Sequence, residues 1–182
     1  MLKSKIRKKI LKIRKDEFNK NKKIKFYKLY KLISKIANLK KIIVGGYYPV
    51  NYEFNDLHFL IYLEKKKIKI ALPVIKKNFE MRFMKCSLNE PFLINKYGIP
   101  EPNSRKVVHP DILLVPVVAF DKKLNRLGYG AGYYDRAIER LKKRKKIISI
   151  GLAFDFQEFS SIPISSYDQK LDYIFTNRKI LK

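Results

Sequence analysis

The sequence predicts an α/β protein in which helices cover both faces of a mainly parallel sheet, a layered α/β/α arrangement. Segments with the apolar spacing of helices alternate along the chain with short apolar runs typical of buried strands. No internal repeat and no glycine-, serine- or proline-rich linker divides the 182 residues, so we predict a single domain over residues 1–182. Ligands of such sheets bind beyond the carboxyl ends of the strands, so the segments that follow the strands are the candidate functional segments.

Two amphipathic helices are predicted at the start of the chain. The first carries an apolar stripe at spacings of three and four residues in a segment otherwise nearly all lysine and arginine, and the stripe consists of Leu2, Ile6, Ile10 and Ile13. A second stripe from Phe26 to Ile36 has the same spacing and predicts a helix that runs to about Asn38. A third helix is predicted over Arg136–Lys145.

Short buried strands are predicted where apolar runs stop at glycine or proline. The first is Ile42–Val44 within the segment Lys41–Tyr48, and it meets a loop at Gly45 and Gly46. The others are Ile68–Leu72 closed by Pro73, Ile112–Val115 stopped by Pro116, Ile147–Ile150 ended by Gly151, and Tyr173–Phe175. The segment Leu57–Leu63 fits either a helix or a strand. This order of elements predicts a Rossmann-like sheet preceded by N-terminal helices.

The chain is strongly basic, with 42 Lys and Arg against 16 Asp and Glu and a formal net charge of +26. Residues 1–41 hold 17 of the basic residues and only two acidic ones, Asp16 and Glu17. Such a segment is typical of nucleic-acid-binding proteins. Lys, Ile, Asn, Tyr and Phe are nevertheless abundant along the whole chain and Trp is absent. We therefore favour a bias in composition and predict no specific nucleic-acid partner.

Several other classes of protein are excluded by composition. The single cysteine, Cys86, cannot build a disulfide scaffold or a cysteine-based zinc site. No apolar run approaches the ~18 residues that a membrane span needs, so no membrane association is predicted. The basic N-terminal segment lacks the apolar stretch of a secretory signal, and the predicted location is the cytoplasm.

A glycine-rich segment lies between a predicted strand and a predicted helix. Gly128, Gly130 and Gly132 are three of the seven glycines of the chain and fall within five residues. Alternate glycines let backbone N–H groups approach an anion, and the N-terminus of the following helix adds partial positive charge. Arg126, just before them, can bind a phosphate with two hydrogen bonds. The pattern is neither a Walker loop nor a dinucleotide-binding motif, but it favours a phosphate site over a plain turn.

The residues from Asp111 to Arg136 resemble the signature of the 5-formyltetrahydrofolate cyclo-ligase family, whose members are also called methenyltetrahydrofolate synthetases. The signature is a strand leading into Pro-x-x-Ala-Phe-Asp, followed by Arg-Leu-Gly-x-Gly-x-Gly-Tyr-Tyr-Asp. Further matches follow the order of the family over nearly the whole chain: Lys3, Ile6, Arg7 and Arg14; Tyr48, Pro49 and Glu53; Ile68–Pro73 and Met81; Glu101 and Pro102; Gly151–Phe154, Gln157, Ile162, Pro163, Asp168 and Asp172. Val117 departs from the pattern where many members have glycine, and Tyr167 where histidine is frequent.

The resemblance implies a ligase that forms a C–N bond with ATP as co-substrate and Mg²⁺ as cofactor. Members of the family close 5-formyltetrahydrofolate to 5,10-methenyltetrahydrofolate and release ADP and phosphate. The implied partners are these small molecules, and we expect a monomer. Two other functions stay open at this point. One is a nucleic-acid-binding module with residues 1–41 as its arm, and the other is an enzyme similar to sugar-phosphate isomerases that uses the same phosphate loop without ATP.

The resemblance also assigns roles to individual residues. It implies that Arg126 and Tyr133 are catalytic. The implied ATP-binding residues lie in the first helix and the glycine-rich segment: Lys3, Ser4, Lys5, Ile6, Arg7, Arg126, Leu127, Gly128, Tyr129, Gly130, Ala131, Gly132, Tyr133 and Tyr134. The implied folate-binding residues are Glu53, Met81, Phe120, Gly130, Ala131, Gly132, Tyr133 and Tyr134. Asp135 and Asp172 are the implied metal ligands, with Asp168 as the next candidate.

Overall fold

The structure, a computed structural model, describes residues 2–17 and 24–182. Within these ranges the α-helices are α1 (Leu2–Glu17), α2 (Phe26–Ile36), α3 (Leu57–Lys65) and α4 (Tyr133–Lys142). A short 3₁₀ helix covers Asp155–Gln157. None of the helices in the described ranges has the length and apolar character that a membrane crossing requires.

Most strands of the described residues belong to one central sheet. The strands are β1 (Ile43–Gly45), β2 (Lys69–Ile75), β3 (Met81–Cys86), β4 (Phe92–Ile94), β5 (Pro100–Pro102), β6 (Val107–Val108), β7 (Ile112–Pro116), β8 (Ala119–Phe120), β9 (Arg126–Leu127), β10 (Ile148–Ala153), β11 (Tyr173–Thr176) and β12 (Ile180–Leu181). Eight of these form the central sheet, in the order β12-β11-β10-β7-β1-β2-β3-β6. The pairs β4–β5 and β8–β9 form two small antiparallel sheets beside it.

The centre of the sheet is parallel. The strands β11, β10, β7, β1 and β2 run in the same direction, and Gly45 of β1 pairs with Leu113 of β7 and with Ala71 of β2. Antiparallel pairings occur towards the edges, between β11 and β12 and among β2, β3 and β6. The predicted mainly parallel sheet is therefore confirmed, and the carboxyl ends of β1, β2 and β7 meet at one edge.

Helices cover both faces of the sheet because successive side chains of a strand point to opposite faces. On β7, Ile112 belongs to one hydrophobic core and its neighbour Leu113 to the other. The first core contains the buried residues of α2 and α3, and the second contains those of α4. A third, smaller core joins Ile6 and Ile10 of α1 to residues of β8 and β9. The layered arrangement is the one that the sequence predicts.

The helices agree in type with the sequence predictions, although their ends differ. The second helix ends at Ile36 rather than near Asn38, and the segment Leu57–Leu63 is helical as part of α3. The helix predicted over Arg136–Lys145 begins earlier, at Tyr133, and ends at Lys142. Gly132 precedes it in the left-handed conformation, with φ of 68°. The glycine-rich segment therefore leads directly into the N-terminus of α4.

The predicted strand ends at Val44 and Val115 fall one residue short of the observed ends, and β2 and β10 each continue three residues past their predicted ends. β2 continues through Pro73, although proline has no N–H to donate to a neighbouring strand. β1 pairs only with Lys69–Ala71, so the edge of β2 that faces β1 has no strand partner at Pro73. β10 continues through Gly151, where a Cβ atom would lie 2.6 Å from Leu171 and 3.0 Å from Val117. Gly151 therefore allows close packing inside the strand rather than ending it.

Candidate active site

A cavity of about 820 Å³ lies at the carboxyl ends of β1, β2 and β7. Tyr47 and Tyr48 follow β1, Ile75 ends β2 and Pro116 ends β7, and all four line the cavity. This is the edge of a parallel sheet at which α/β proteins bind ligands. The volume lies within the roughly 300–1,000 Å³ that is typical of small-molecule sites.

One wall of the cavity is basic and is built by α1. Lys3 and Arg7 are four residues apart, so they lie on one face of the helix, and both line the cavity. Lys3 Nζ donates to Asp168 Oδ2 at 2.5 Å, and Arg7 Nε donates to the carbonyl oxygen of Gly128 at 2.7 Å. The first helix and the glycine-rich segment are therefore in direct contact.

The glycine loop, residues 128–132, forms the adjoining wall. Gly130 has φ of +112° and Gly132 has φ of +68°, conformations that side-chain-bearing residues rarely adopt. Across the described part of the chain, the backbone amides of residues 128–132 donate no hydrogen bond to another protein group. The first amides of α4 follow directly and have no partners within the helix. The loop thus presents open donors and a helix N-terminus to the cavity, which is the arrangement that binds phosphate.

Arg126 lies beneath the glycine loop. Its side chain is only 4% exposed, and a guanidinium nitrogen donates to Asp135 Oδ1 at 2.8 Å. Burial lowers the pKa of Arg126, and the charge of Asp135 opposes that effect. The Nε of Arg126 is buried without a hydrogen-bond partner in the described structure. Arg126 therefore keeps a donor that is not committed to the protein.

Glu53 lies on the cavity wall and is only 6% exposed. Its Oε2 accepts a hydrogen bond from the backbone amide of Val50 at 2.8 Å. Burial raises the pKa of Glu53 to about 7, although the Val50 amide, the Arg14 charge and a hydrogen bond with Tyr129 each lower it. This carboxyl group is therefore poised to change its protonation state near neutral pH.

An aromatic rim faces the glycine loop. The hydroxyl groups of Tyr97 and Tyr133 are 3.1 Å apart, and the rings of Phe79 and Tyr133 are 6.1 Å apart. The Arg136 guanidinium lies 5.6 Å from the Tyr133 ring and 6.0 Å from the Phe79 ring, within the range of cation–π contacts. Phe79 comes from the turn between β2 and β3, and Tyr97 from the turn between β4 and β5. The sequence predictions missed both residues, and no local pattern in either turn points to the cavity.

Most of the predicted site residues come together on the wall of this cavity. They are Lys3, Arg7, Glu53, Met81, Arg126, Leu127, Gly128, Tyr129, Gly130, Ala131, Gly132, Tyr133, Tyr134, Asp135 and Asp168. These residues come from α1, the turn after β1, β3, β9, the glycine loop, α4 and the segment before β11. Residues that are more than 160 positions apart in the sequence therefore share one site, as the contact between Lys3 and Asp168 shows.

Four predicted binding residues do not line the cavity. Ser4 and Lys5 are exposed on other faces of α1, because they are one and two positions away from Lys3 on a helix. Ile6 is buried in the small core between α1 and the β8–β9 sheet. Phe120 is completely buried on the α4 side of the central sheet, so its ring belongs to the core rather than to the cavity wall. The structure thus places these four residues away from the cavity wall.

The predicted metal pair is also not brought together. Asp172 Oδ2 accepts hydrogen bonds from the backbone N–H of Ser149 at 2.8 Å and from its hydroxyl at 2.6 Å, and Asp172 does not line the cavity. Asp135 Oδ1 accepts from Arg126 and from the backbone amide of Gln169. Among the described residues, no group of three or more His, Cys, Asp or Glu side chains is arranged to hold a metal ion. Asp135 therefore lines the cavity and Asp172 does not.

Comparison with known proteins identifies the family. The sequence model of the 5-formyltetrahydrofolate cyclo-ligase family matches residues 1–177. The chain belongs to the 5-formyltetrahydrofolate cyclo-ligase family. A 5-formyltetrahydrofolate cyclo-ligase of Mycoplasma genitalium is 35% identical over 134 residues, which cover 72% of this chain and 70% of that protein.

Two further relatives bear on how much of the family fold is present. A relative from Schizosaccharomyces pombe is 38% identical over 108 residues, 51% of this chain, and the match spans about half (53%) of that protein. The solved structure of Aquifex aeolicus 5,10-methenyltetrahydrofolate synthetase is 28% identical, with a TM-score of 0.77. The superposition covers 100% of this chain and 93% of that one, so the two share the whole fold described above.

Proposed function

We propose that this member of the cyclo-ligase family converts 5-formyltetrahydrofolate and ATP to 5,10-methenyltetrahydrofolate, ADP and phosphate. The observation that carries the proposal is that the glycine loop, with its open amides, lines the same cavity as the buried carboxyl group of Glu53. One cavity thus offers a phosphate-binding wall and an acceptor for a folate ring. Such a cavity allows the two substrates to react with each other directly.

The chemistry requires activation of the formyl group. A formyl oxygen on nitrogen is a poor leaving group, and N10 of the folate is a weak nucleophile. Transfer of the γ-phosphoryl group of ATP to the formyl oxygen gives an imidate phosphate and ADP. N10 then attacks the formyl carbon, its proton is lost, and phosphate leaves with the former formyl oxygen. Phosphoryl transfer of this kind depends on alignment and charge neutralisation more than on covalent help from the protein.

The basic wall suits the phosphates of ATP. Lys3, Arg7 and Arg126 supply positive charge on the same side of the cavity as the glycine loop. Lys3 and Arg7 are only partly buried and now bond to Asp168 and to the Gly128 carbonyl, so a phosphate group can compete for both. We propose that Lys3 and Arg7 bind the phosphates of ATP together with the loop amides and Arg126.

Mg²⁺ fits this site as part of the ATP substrate rather than as a resident ion. Magnesium is commonly held by one or two carboxylates together with phosphate oxygens. Asp135 and Asp168 are the carboxylates of the basic wall that line the cavity, and we propose them in place of the pair implied by the resemblance. When bound, Mg²⁺ neutralises charge on the phosphates, and Asp135 and Asp168 would hold it there.

Another part of the cavity wall suits the folate. An ionised Glu53 can accept two hydrogen bonds from the N–H groups of an aminopyrimidinone ring. Met81, Phe79 and Tyr97 supply an apolar and aromatic surface for the ring system. Tyr133 contacts Phe79 of this surface and follows the glycine loop directly, so we propose that the formyl group and the transferred phosphoryl group meet beside it. We propose that Tyr133 and Arg126 contact the reacting groups.

The two other functions that the sequence left open are not supported. Phe26 stacks on Phe59 with ring centroids 5.5 Å apart, and Tyr30 packs edge-on against Tyr62 at 5.3 Å. These aromatic residues therefore serve the core rather than an exposed nucleic-acid surface. The relatives and the solved structure reported above are named as cyclo-ligases or methenyltetrahydrofolate synthetases, and none of these names describes an isomerase or a nucleic-acid-binding protein. We propose a monomeric enzyme of the cytoplasm.

The direct test follows the absorbance of the methenyl product. The protein is incubated with 5-formyltetrahydrofolate, Mg²⁺ and ATP, and the methenyl chromophore should accumulate together with one ADP per product. Omission of ATP should abolish the signal, which separates a cyclo-ligase from an isomerase-like enzyme. Absence of product from a protein with a native circular dichroism spectrum and a cooperative thermal transition would contradict the proposal.

A further inference from the structure

A buried arginine lies below the cavity and is not used by the mechanism above. Arg14 is only 1% exposed, although the helix that carries it is otherwise covered with exposed lysines. Lys3, Arg7 and Arg14 are four and seven residues apart, so at about 100° per residue they lie within about 40° of one another on α1. Arg14 therefore continues the stripe of cations that faces the glycine loop.

The guanidinium of Arg14 joins three separate segments. One terminal nitrogen donates to the Tyr129 hydroxyl at 2.9 Å and to the carbonyl oxygen of Asn51 at 3.3 Å. The other donates to the carbonyl oxygen of Val117 at 2.7 Å. Tyr129 belongs to the glycine loop, Asn51 to the turn that carries Glu53, and Val117 follows β7. Arg14 thus fixes the phosphate-binding wall and the folate-binding turn relative to each other.

The three acceptors are all neutral oxygens, and the Nε of Arg14 is buried without a partner in the described structure. Neutral hydrogen bonds offset the cost of burying a cation only in part. An apolar side chain of similar length would fill the same space at lower cost. The positive charge of Arg14 lowers the pKa values of Glu53, Tyr47 and Tyr129, and of these groups Glu53 is the one whose pKa lies near neutral pH.

The groups that face Glu53 come from every element around it. They are Arg14 of α1, Tyr47 after β1, Asp56 at the start of α3, Tyr129 of the glycine loop and Tyr134 of α4. Burial raises the pKa of Tyr47, Asp56 and Tyr134 well above their ordinary values, and it raises the pKa of Tyr129 to about 12. These groups favour their neutral forms, whereas Arg14 carries the positive charge that lowers the pKa of Glu53.

We propose that Arg14 is a positioning residue, which holds Tyr129 of the glycine loop and the turn of Glu53 in one arrangement and favours the ionised form of Glu53 for the folate. The inference rests on the proposed function, because it takes Glu53 as the folate ligand. Arg14 does not line the cavity and acts on the substrate through Glu53 and Tyr129.

The test is the pH dependence of 5-formyltetrahydrofolate binding, measured by calorimetry without ATP between about pH 5.5 and 8.5. Wild-type affinity should rise with pH through a midpoint near 7, because only the ionised carboxylate accepts both hydrogen bonds. In Arg14→Met the midpoint should move upward, and a shift of about one pH unit lowers affinity at pH 7 about fivefold. Arg14→Lys keeps the charge and should bring the midpoint back towards the wild-type value.

Matched controls separate this effect from loss of charge or of stability. Lys15→Met removes the same charge from the next, exposed position of α1 and should leave the midpoint unchanged. If Arg14→Met does not fold, Tyr129→Phe removes the hydroxyl that contacts both Arg14 and Glu53 and should also raise the midpoint. An unchanged midpoint in the folded variants would overturn the inference. Failure of the wild-type protein to bind 5-formyltetrahydrofolate would instead contradict the proposed function.

Discussion

Replacement of Gly130 by alanine should weaken the use of ATP more than it weakens the fold. Gly130 has φ of +112°, and a Cβ atom there would lie 3.3 Å from Cζ of Arg7 and 3.4 Å from one of its terminal nitrogens. A non-glycine residue in such a conformation costs about 1–3 kcal/mol, and the glycine loop can relieve this cost by changing shape. If the whole cost falls on the bound conformation, the KM for ATP rises about 5- to 150-fold.

The measurement is the KM for ATP at saturating 5-formyltetrahydrofolate, from the methenyl absorbance. Gly98→Ala is the matched control: Gly98 also has a positive φ of 74° and lines the cavity, but it lies beside Tyr97 on the proposed folate surface and has no atom within 4 Å of the added Cβ. This control should lose comparable thermal stability and keep the wild-type KM for ATP. An unchanged KM for ATP in folded Gly130→Ala would refute the assignment of the glycine loop to the phosphates.

Three further outcomes are expected. Arg126→Ala should lower kcat/KM for ATP at least about 100-fold, because it removes buried charge beside the phosphates, whereas Lys143→Ala, at an exposed ion pair, should not change it. The kcat/KM for 5-formyltetrahydrofolate should rise with pH through about 7 as Glu53 ionises, and Glu53→Gln should be less active and lack that step. Asp172→Ala should lower the free energy of unfolding by about 1–3 kcal/mol, since it leaves the buried Ser149 amide unpaired, without raising the Mg²⁺ concentration needed for activity. An increased Mg²⁺ requirement in that variant would instead restore Asp172 as a metal ligand.

The sequence predicts the parts of this fold that depend on local spacing. The stripe at Ile6 and Ile10 predicts α1, and the apolar run Ile112–Val115 predicts β7, because both patterns report burial of the element that carries them. The glycine loop is also predictable, since three glycines at alternate positions make demands on the backbone that few other structures share. Local signals therefore suffice to predict α1 and the glycine loop as elements, although not their contact with each other.

The remaining parts depend on contacts between distant segments. Whether Phe120 faces the core or the cavity depends on the register of a two-residue strand, where a shift by one residue reverses the side chain. Asp172 looks like a free carboxylate in the sequence, but its partner Ser149 lies on β10. Tyr97 reaches the rim through a turn whose position follows from the pairing of β4 with β5. No pattern within a short window of sequence carries this information.

The attachment of α1 has a consequence for residues that never meet a substrate. The helical backbone holds Lys3, Arg7 and Arg14 at fixed separations, while Ile6 and Ile10 pack α1 against the β8–β9 sheet. Removal of a methyl group from Ile10 by substitution should tilt or loosen α1 as a unit, so the affinities for nucleotide and for pteridine should decline together. A substitution in this small apolar core should then have the same effect as a substitution in the active site, although it lies away from the reacting groups.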